Sequence, residues 1–384
     1  MKICFLDEAL FAGGADAVNG ARVQILALAR ELASRGHEVW VLSGCDQGER
    51  LEDHGLREGI PVRSFRRSAY APFLGVRAAS RAVRTGAPDA IYVRGRTYLA
   101  GVAAWERWRR GAGFVWASNA EEGCDRWKHV SHLWAGPRSL TRKLGRMPVD
   151  FVADLICDMG VTRADEHVCQ TRYQAARLQA VHRREGTVVR SLQAVPGTLP
   201  PKAEPPLMLW IGRISIERGP EAFVELARQC AGVDCDFALV GPASNDEYLQ
   251  QVLAPATGLT RFRYIGQVSL AESWDWIARA AVLVNTSYIE GVSNALVQAW
   301  HCGTPTATLH FDPDDIIETN GVGFRAGDAP TLTKEVRRLV EDPRFRVEMG
   351  ARAKAMAERE FSGRAVGDAY EEIFRRALAH DAHE

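Results

Sequence analysis

The chain has 384 residues, 46% of them hydrophobic and 25% charged, the composition of an ordinary soluble globular protein. It is too long for one ordinary core, which predicts two domains of similar size, and no apolar run approaches the ~18 residues that a membrane span needs. The balance of 48 basic and 48 acidic side chains hides an asymmetry: residues 1–200 hold 29 Lys and Arg against 21 Asp and Glu, a net +8, and the remainder carries the compensating −8. A basic first half suits an anionic membrane, a lipid-linked acceptor or nucleic acid, and equally the drift of two unlike domains.

The start, MKICFLDEAL, carries Asp7 and Glu8 after a very short apolar run and does not read as a signal peptide. Eight scattered cysteines form no C-x-x-C pair. In apolar surroundings such as those of Cys4, Cys169 and Cys302 they read as small buried residues of a reducing compartment, the cytoplasm.

In chain order, Lys2–Leu6 is a buried strand. A loop with Gly13-Gly14 and Asn19-Gly20 follows, and apolar residues at 23, 25, 26, 28, 29 and 32 predict a helix over Ala21–Arg35, stopped by Gly36. His37–Leu42 is the second strand. Gly20 at the helix entrance suits close approach of a phosphate to backbone. The loop lacks the G-x-G-x-x-G of a dinucleotide dehydrogenase, which excludes that reading. Pro61–Arg84 is basic and aromatic; Asp89–Val93 and Phe114–Trp116 are further strands, the latter followed by Asn119, Glu121 and Glu122. The stretch Trp127–Arg146 reads as irregular and, with Arg126 before it, interleaves basic residues with Trp127 and Trp134, a pattern that suits a membrane interface or a solvated helix face. His129 and His132 have no carboxylate or cysteine pattern to complete a metal site. Glu166–Gln170 is a strand, Thr171 caps a helix over Arg172–Val181, and the four prolines of Thr198–Pro206 mark a linker.

Leu207–Ile211 opens the second half, followed by Gly212-Arg213, Arg218-Gly219 and a helix over Glu221–Gln229. The strands Asp236–Val240 and Phe262–Ile265 run into Gly241 and Gly266. The densest segment is Ala281–Leu309. Val282-Leu283-Val284 is a strand buried on both faces, and Asn285–Gly291 a polar turn holding Glu290. Ser293 and Asn294 are N-cap residues for a helix over Ala295–Cys302, Gly303 and Pro305 end it, and Thr306–Leu309 begins a strand. The free N–H groups of that helix start form an anion site; with Asn294 as cap, Gln298 stands one turn in on the same face. Thr331–Leu378 is helical.

Several of these patterns resemble a retaining GT-B glycosyltransferase of the family 4 type. Glu290 and Gln298, with seven residues between them, and Gly303-Thr304-Pro305 resemble its E-x7-E segment, with Gln in place of the second Glu. Gly212-Arg213 to Arg218-Gly219 resembles GR-x-x-x-x-KG, with Arg for Lys. Gly20, Leu28-Ala29, Leu32 and Arg35–Val39 resemble the family's opening, with Asn19 replacing its first glycine. Asn320-Gly321-Val322-Gly323 and Gly327-Asp328 resemble its NG-x-G and GD turns.

The resemblance implies an α/β GT-B fold of two Rossmann-like domains facing a cleft. Residues 1–199, with a C-terminal helix over about 364–384 crossing back, would bind the acceptor, and residues 200–363 the nucleotide-sugar donor. It implies that Glu290 holds the donor sugar, Arg213 and Arg218 the diphosphate, Gln298 the ribose, and the backbone around Gln267 and Val268 the base. Gly20, Gly212, Gly241, Gly291, Val292, Ser293 and Asn294 would complete the donor site. The His that many relatives place after the strand at 114–116 is absent, which leaves Asn119 or Glu121 for the acceptor. No metal and no cofactor beyond the donor are expected, and the D-x-D spellings at 234–236 and 312–314 are rejected as metal sites. The expected partners are a nucleotide sugar and a glycan, lipid-linked or small-molecule acceptor, with peripheral membrane contact through the basic domain and no nucleic acid. The place is the cytoplasm or the inner face of the membrane, in polysaccharide assembly. The alternatives are a GT-B protein that binds a nucleotide sugar without transferring it and a sugar-nucleotide 2-epimerase on the same fold.

Overall fold

The structure, a computed structural model, describes residues 1–8, 10, 20–45, 55–67, 72–119, 121–135, 139–288 and 290–379, without the side chains of residues 21, 57, 72, 73, 121 and 122. Gly13, Gly14 and Asn19 lie outside the described residues. The chain forms two compact units, one of Met1–Leu192 with the chain from Gly363 onward, the other of Gln193–Ser362.

The first unit is built on an eight-stranded sheet. Its strands are β1 (Lys2–Asp7), β2 (Glu38–Cys45), β3 (Gly55–Arg57), β4 (Ile60–Arg66), β5 (Ala90–Arg94), β6 (Gly113–Ala117), β7 (Glu166–Cys169) and β8 (Thr187–Val188). They lie in the order β3-β4-β2-β1-β5-β6-β7-β8. Every pairing is parallel except the edge hairpin β3–β4. The central strands are apolar without alternation because helices cover both faces. The helices Gly20–Ser34 and Gly363–Ala379 close one face, sharing a core with Ile3, Phe5, Tyr92 and Val115. On the other, the helices Val76–Gly86 and Leu99–Arg110 pack over Cys4, Ile91 and Phe114.

The C-terminal helix belongs to this first core by covalently distant contacts. Val366, Tyr370, Ile373, Phe374 and Ala377 are buried in it. Arg376 grips Glu166 through Nε and Nη2 at 2.9 and 2.8 Å, and Arg35 Nη1 donates to Asp368 at 2.6 Å.

Two helices depart from the sequence expectation. The stretch expected to be irregular is helical over Lys128–Ala135 and then over Leu140–Thr162, a helix of 23 residues with Pro148 inside it. It crosses the Leu99–Arg110 helix where Gly160 and Gly101 allow backbone contact. Elsewhere the expected helices and strands are present with ends moved by at most three residues, as in Gly20–Ser34 for Ala21–Arg35 and Glu38–Cys45 for His37–Leu42.

The second unit carries six parallel strands: β9 (Leu207–Ile211), β10 (Asp236–Val240), β11 (Phe262–Gly266), β12 (Ala280–Asn285), β13 (Thr306–Thr308) and β14 (Gly323–Arg325). Their order is β11-β10-β9-β12-β13-β14. The chain builds outward from β9 to β11, then returns to lay β12 on the other flank of β9. At that reversal the connections after β9 and β12 leave in opposite directions, which opens a crevice at the strand C-terminal ends. Among the described residues no helix is long and apolar enough to cross a membrane, and no group of three or more His, Cys, Asp or Glu could hold a metal ion.

Candidate active site

The second unit's crevice is lined by the loops after β9 and β12, which carry the arginines and the acidic turn. After β9 the chain passes Gly212 and Arg213 into a short 3-10 turn, Ile216–Arg218, and then the helix Pro220–Gln229. Gly219 joins them at φ +55°, and a β-carbon there would meet the Thr286 carbonyl oxygen at 2.9 Å. Only glycine fits both demands. The close approach is used: Thr286 Oγ1 donates to the Arg218 carbonyl at 3.0 Å and accepts from Trp210 Nε1 at 2.9 Å, while the Tyr288 N–H donates to the Glu217 carbonyl at 3.1 Å. These bonds bind the β12 loop to the β9 loop.

The consequence is a charged pair. Arg218 Nη1 donates to Glu290 Oε1, joining residues 72 apart in sequence. The Glu290 side chain is 9% exposed and the Arg218 side chain 38%. Asn285 Nδ2 donates to the other carboxylate oxygen at 2.7 Å and Ser287 Oγ at 3.3 Å, and Asn285 Oδ1 accepts from the Ser287 N–H at 2.9 Å in an Asx turn. Glu290 is thus fixed by three donors, and the partly exposed Arg218 guanidinium has further N–H groups beyond the one it gives to Glu290. Arg213 is exposed and has no ion-pair partner among the described residues. One positive charge of the crevice is held and the other is unspent.

Beside them stands the helix Asn294–His301. Its cap is Ser293, whose Oγ accepts from the Leu296 N–H at 3.4 Å, so Asn294 is the first helical residue and not the cap. Asn294 is occupied otherwise: its Oδ1 accepts from Gln193 Nε2 at 2.8 Å, and Gln193 Oε1 accepts from Gln298 Nε2 at 3.4 Å. The two helical residues do lie on one face, bridged by an amide that is buried like Gln298 itself. On the opposite flank, Gly212 and Gly241 bring two backbones together. Gly241 has φ +136°, its N–H donates to the Gly266 carbonyl at 2.7 Å, and the Gly212 N–H donates to the Val240 carbonyl at 3.0 Å. A β-carbon on Gly241 would collide with the Gly212 carbonyl.

Two family models match the chain: Glycosyltransferase Family 4 over residues 18–190 and Glycosyl transferases group 1 over residues 205–342. The 2-deoxystreptamine N-acetyl-D-glucosaminyltransferase of Streptomyces fradiae is 28% identical over 404 residues, 95% of this chain and 91% of that one. The chain is a GT-B glycosyltransferase of the family 4 type. The lipopolysaccharide core biosynthesis glycosyltransferase LpsD of Rhizobium meliloti is 27% identical over 177 residues, 45% of this chain and half of that one. Among solved structures, sucrose-phosphate synthase from Thermosynechococcus elongatus superposes with a TM-score of 0.75 at 17% identity, covering 99% of this chain and 100% of the other. Anabaena HepE in complex with UDP and glucose superposes at 0.68 and 17% identity over 98% and 99%.

In the glycosyltransferase, Gly212, Arg213, Arg218, Gly241, Glu290, Gly291, Val292, Ser293, Asn294 and Gln298 all stand at the C-terminal side of the second sheet. Gln267 is exposed and Val268 half-buried just after β11. Gly20 opens a helix of the first unit and Asn119 is exposed after β6. Glu121 begins a 3-10 turn, its side chain outside the described ones. His129, read from sequence as having no ligand pattern to complete a metal site, instead makes one ion pair: its Nδ1 bonds Asp154 Oδ1 at 2.8 Å. That carboxylate also accepts from the His129 and Val130 N–H groups at 3.2 and 3.1 Å and from Arg96 Nη2 at 3.1 Å. Although burial opposes its charge, these donors hold the Asp154 carboxyl well below the usual range. Asp312, in a D-x-D spelling, accepts from the N–H groups of Ile317 and Glu318 and so caps a helix.

Sequence reasoning missed Asn285, Ser287 and Gln193. An Asn closing a strand two residues before a Ser signals an Asx turn and could have marked the first two. Nothing local announces Gln193, which meets its partners across 101 and 105 residues.

Proposed function

We propose that the protein transfers a sugar from a nucleotide-diphosphate sugar to an acceptor hydroxyl with retention of anomeric configuration and without a metal. The observation that carries this reading is the β9/β12 reversal, whose loops carry Arg213, exposed and with no ion-pair partner among the described residues, Arg218 held by the fixed Glu290 carboxylate, and the start of the helix Asn294–His301. As the bond from the anomeric carbon to the diphosphate oxygen breaks, charge develops on the leaving diphosphate. Arg213, Arg218 and the N–H groups at Ser293–Asn294 stabilise it, preorganised donors being the largest expected catalytic contribution. Glu290 holds the donor sugar's hydroxyls and keeps Arg218 aimed. Gln298 holds the ribose, and the backbone at Gln267 and Val268 the base.

The acceptor oxygen bonds the anomeric carbon on the face the diphosphate leaves. Its proton passes to the departing phosphate oxygen, so no side-chain base is required. The first unit receives the acceptor, a glycan, a lipid-linked sugar or a small molecule, with Asn119 and Glu121 as its contacts. A lipid-linked acceptor would be met at the cytoplasmic face of a membrane. The test incubates the protein with a panel of nucleotide sugars and candidate acceptors, with and without EDTA, and reads the product's anomeric proton coupling by NMR. Retained configuration and EDTA-insensitive turnover support the reading. An inverted product or strict metal dependence overturns it, and an epimerised donor formed without acceptor would make the protein an epimerase.

A further inference from the structure

The first unit exposes an apolar surface that its own core does not use. On the helix Leu140–Thr162 the inward face is Ala153, Asp154, Cys157, Gly160 and Val161. The outward face presents Leu140, Leu144, Met147, Phe151, Leu155 and Met159, all exposed, with Leu140 at 62%, Leu144 at 54% and Leu155 at 45%. The spacing of four, three, four, four and four residues makes one stripe, and at 1.5 Å per residue it runs roughly 30 Å. Trp127 extends it, stacked on Phe151 with ring centroids 5.1 Å apart and planes at 12°. A contiguous apolar surface of this length marks a contact site in a folded protein.

Charge identifies the occupant. Arg126, Lys128, Arg142, Lys143 and Arg146 flank the stripe's N-terminal part, and the sequence from Arg126 to Val149 contains no Asp or Glu. Lys143 reaches Trp134, donating to its carbonyl at 2.7 Å and lying 5.9 Å from its ring centroid. The helix's three carboxylates are already paired: Asp150 with Arg146 of the margin itself at 3.2 Å, Asp154 with Arg96 and His129, and Asp158 with Arg96 at 2.5 Å. A second copy docked on the same face would therefore bring a basic margin and no free acid to meet it.

We infer that this helix lies in the interface of an anionic lipid bilayer, its leucines and Phe151 among the acyl chains and its basic margin among the headgroups. The inference gives a location to the peripheral membrane contact proposed above and does not depend on the donor chemistry. Because the inward face remains packed on the unit, the helix lies along the membrane plane.

The test is sedimentation of the full chain with phosphatidylcholine vesicles, with and without phosphatidylglycerol, in the absence of any nucleotide. Wild type should bind the anionic vesicles, more weakly as salt rises, and bind the neutral ones poorly. The triple variant Leu140→Ser, Leu144→Ser, Leu155→Ser should lose about a hundredfold in partitioning, since each leucine is about half exposed and would be buried in lipid. Its circular dichroism and melting temperature should match wild type. Failure of wild type to bind anionic vesicles, or unchanged binding by the triple variant, overturns the inference. So does a wild-type dimer at micromolar concentration that the triple substitution abolishes, because the face would then belong to a second copy. NDP release in solution from soluble donor and acceptor, unchanged in the variant, separates this outcome from failure of the transferase reading.

Discussion

Arg213 and Arg218 should fail differently when truncated, because only one of them is built into the protein. Arg218→Ala leaves the nearly buried Glu290 carboxylate with Asn285 and Ser287 as its remaining partners. Removing one member of a buried pair costs 3–5 kcal/mol, but the arginine is more than a third exposed, and solvent screening reduces this to about 1–2 kcal/mol. The melting temperature should fall by roughly 2–8 °C on that basis. Arg213→Ala removes an exposed side chain without an ion-pair partner and should leave stability within about 0.5 kcal/mol. Both variants should lose transfer by about 10²–10³-fold if each guanidinium stabilises the leaving diphosphate. The assay pairs scanning calorimetry with NDP-release rates under saturating donor. An Arg213→Ala enzyme with full turnover would refute the assignment. An Arg218→Ala enzyme that melts like wild type would refute the described pairing with Glu290.

Gln298→Glu, which restores the family's acidic residue, should destabilise the protein by about 1–3 kcal/mol. A carboxylate has no N–H for Gln193 Oε1, and turning Gln193 over to serve it would take its amide from Asn294; urea midpoints of the variant and of Gln193→Glu would show this. Acid should weaken the first unit between pH 6.5 and 4. Burial pushes the His167 imidazole down from 6.5 to about 4, while its Nε2–H donates to the Val161 carbonyl at 2.6 Å. In that window the unfolded chain binds a proton that the folded one refuses, so stability falls with pH by about 3 kcal/mol and then levels below pH 4. His167→Gln should flatten this share of the dependence in denaturant titrations at pH 7.5 and 4.5. Deleting the chain from Gly363 removes five buried apolar residues from the first core and the Arg376–Glu166 fork. It should abolish cooperative melting of that unit and expose dye-binding surface, whereas a deletion that melts like wild type would contradict the packing described.

The sheet cores were legible in the sequence because their signals are local. Leu207–Ile211 and Asp236–Val240 are short apolar runs closed by glycine, and both match their strands residue for residue. The helix Leu140–Thr162 was not legible for two physical reasons. Its widest apolar stripe faces outward, so the pattern of a core helix is inverted, and Pro148 interrupts the propensity that would have joined its halves. In the crevice, residue types were visible but their couplings were not. Arg218 and Glu290 could be named from their motifs, yet their mutual pairing depends on Gly219 letting two loops touch. Ser293 and Asn294 have equal propensity for the cap, so the sequence left both open and only the fold selects Ser293. Gln193 has no motif at all; only the folded chain sets it between Asn294 and Gln298.

The central claim is that the second unit's crevice binds the diphosphate of a nucleotide sugar through unspent positive charge. Isothermal titration of wild type and Arg213→Ala with UDP, GDP and ADP, in EDTA, tests it most directly. The account predicts that one nucleoside diphosphate binds wild type at micromolar to sub-millimolar concentration without metal, and that Arg213→Ala weakens it at least about tenfold, the loss of a charge-assisted contact. Binding to none of the three at millimolar concentration, or equal affinity in the variant, would contradict it.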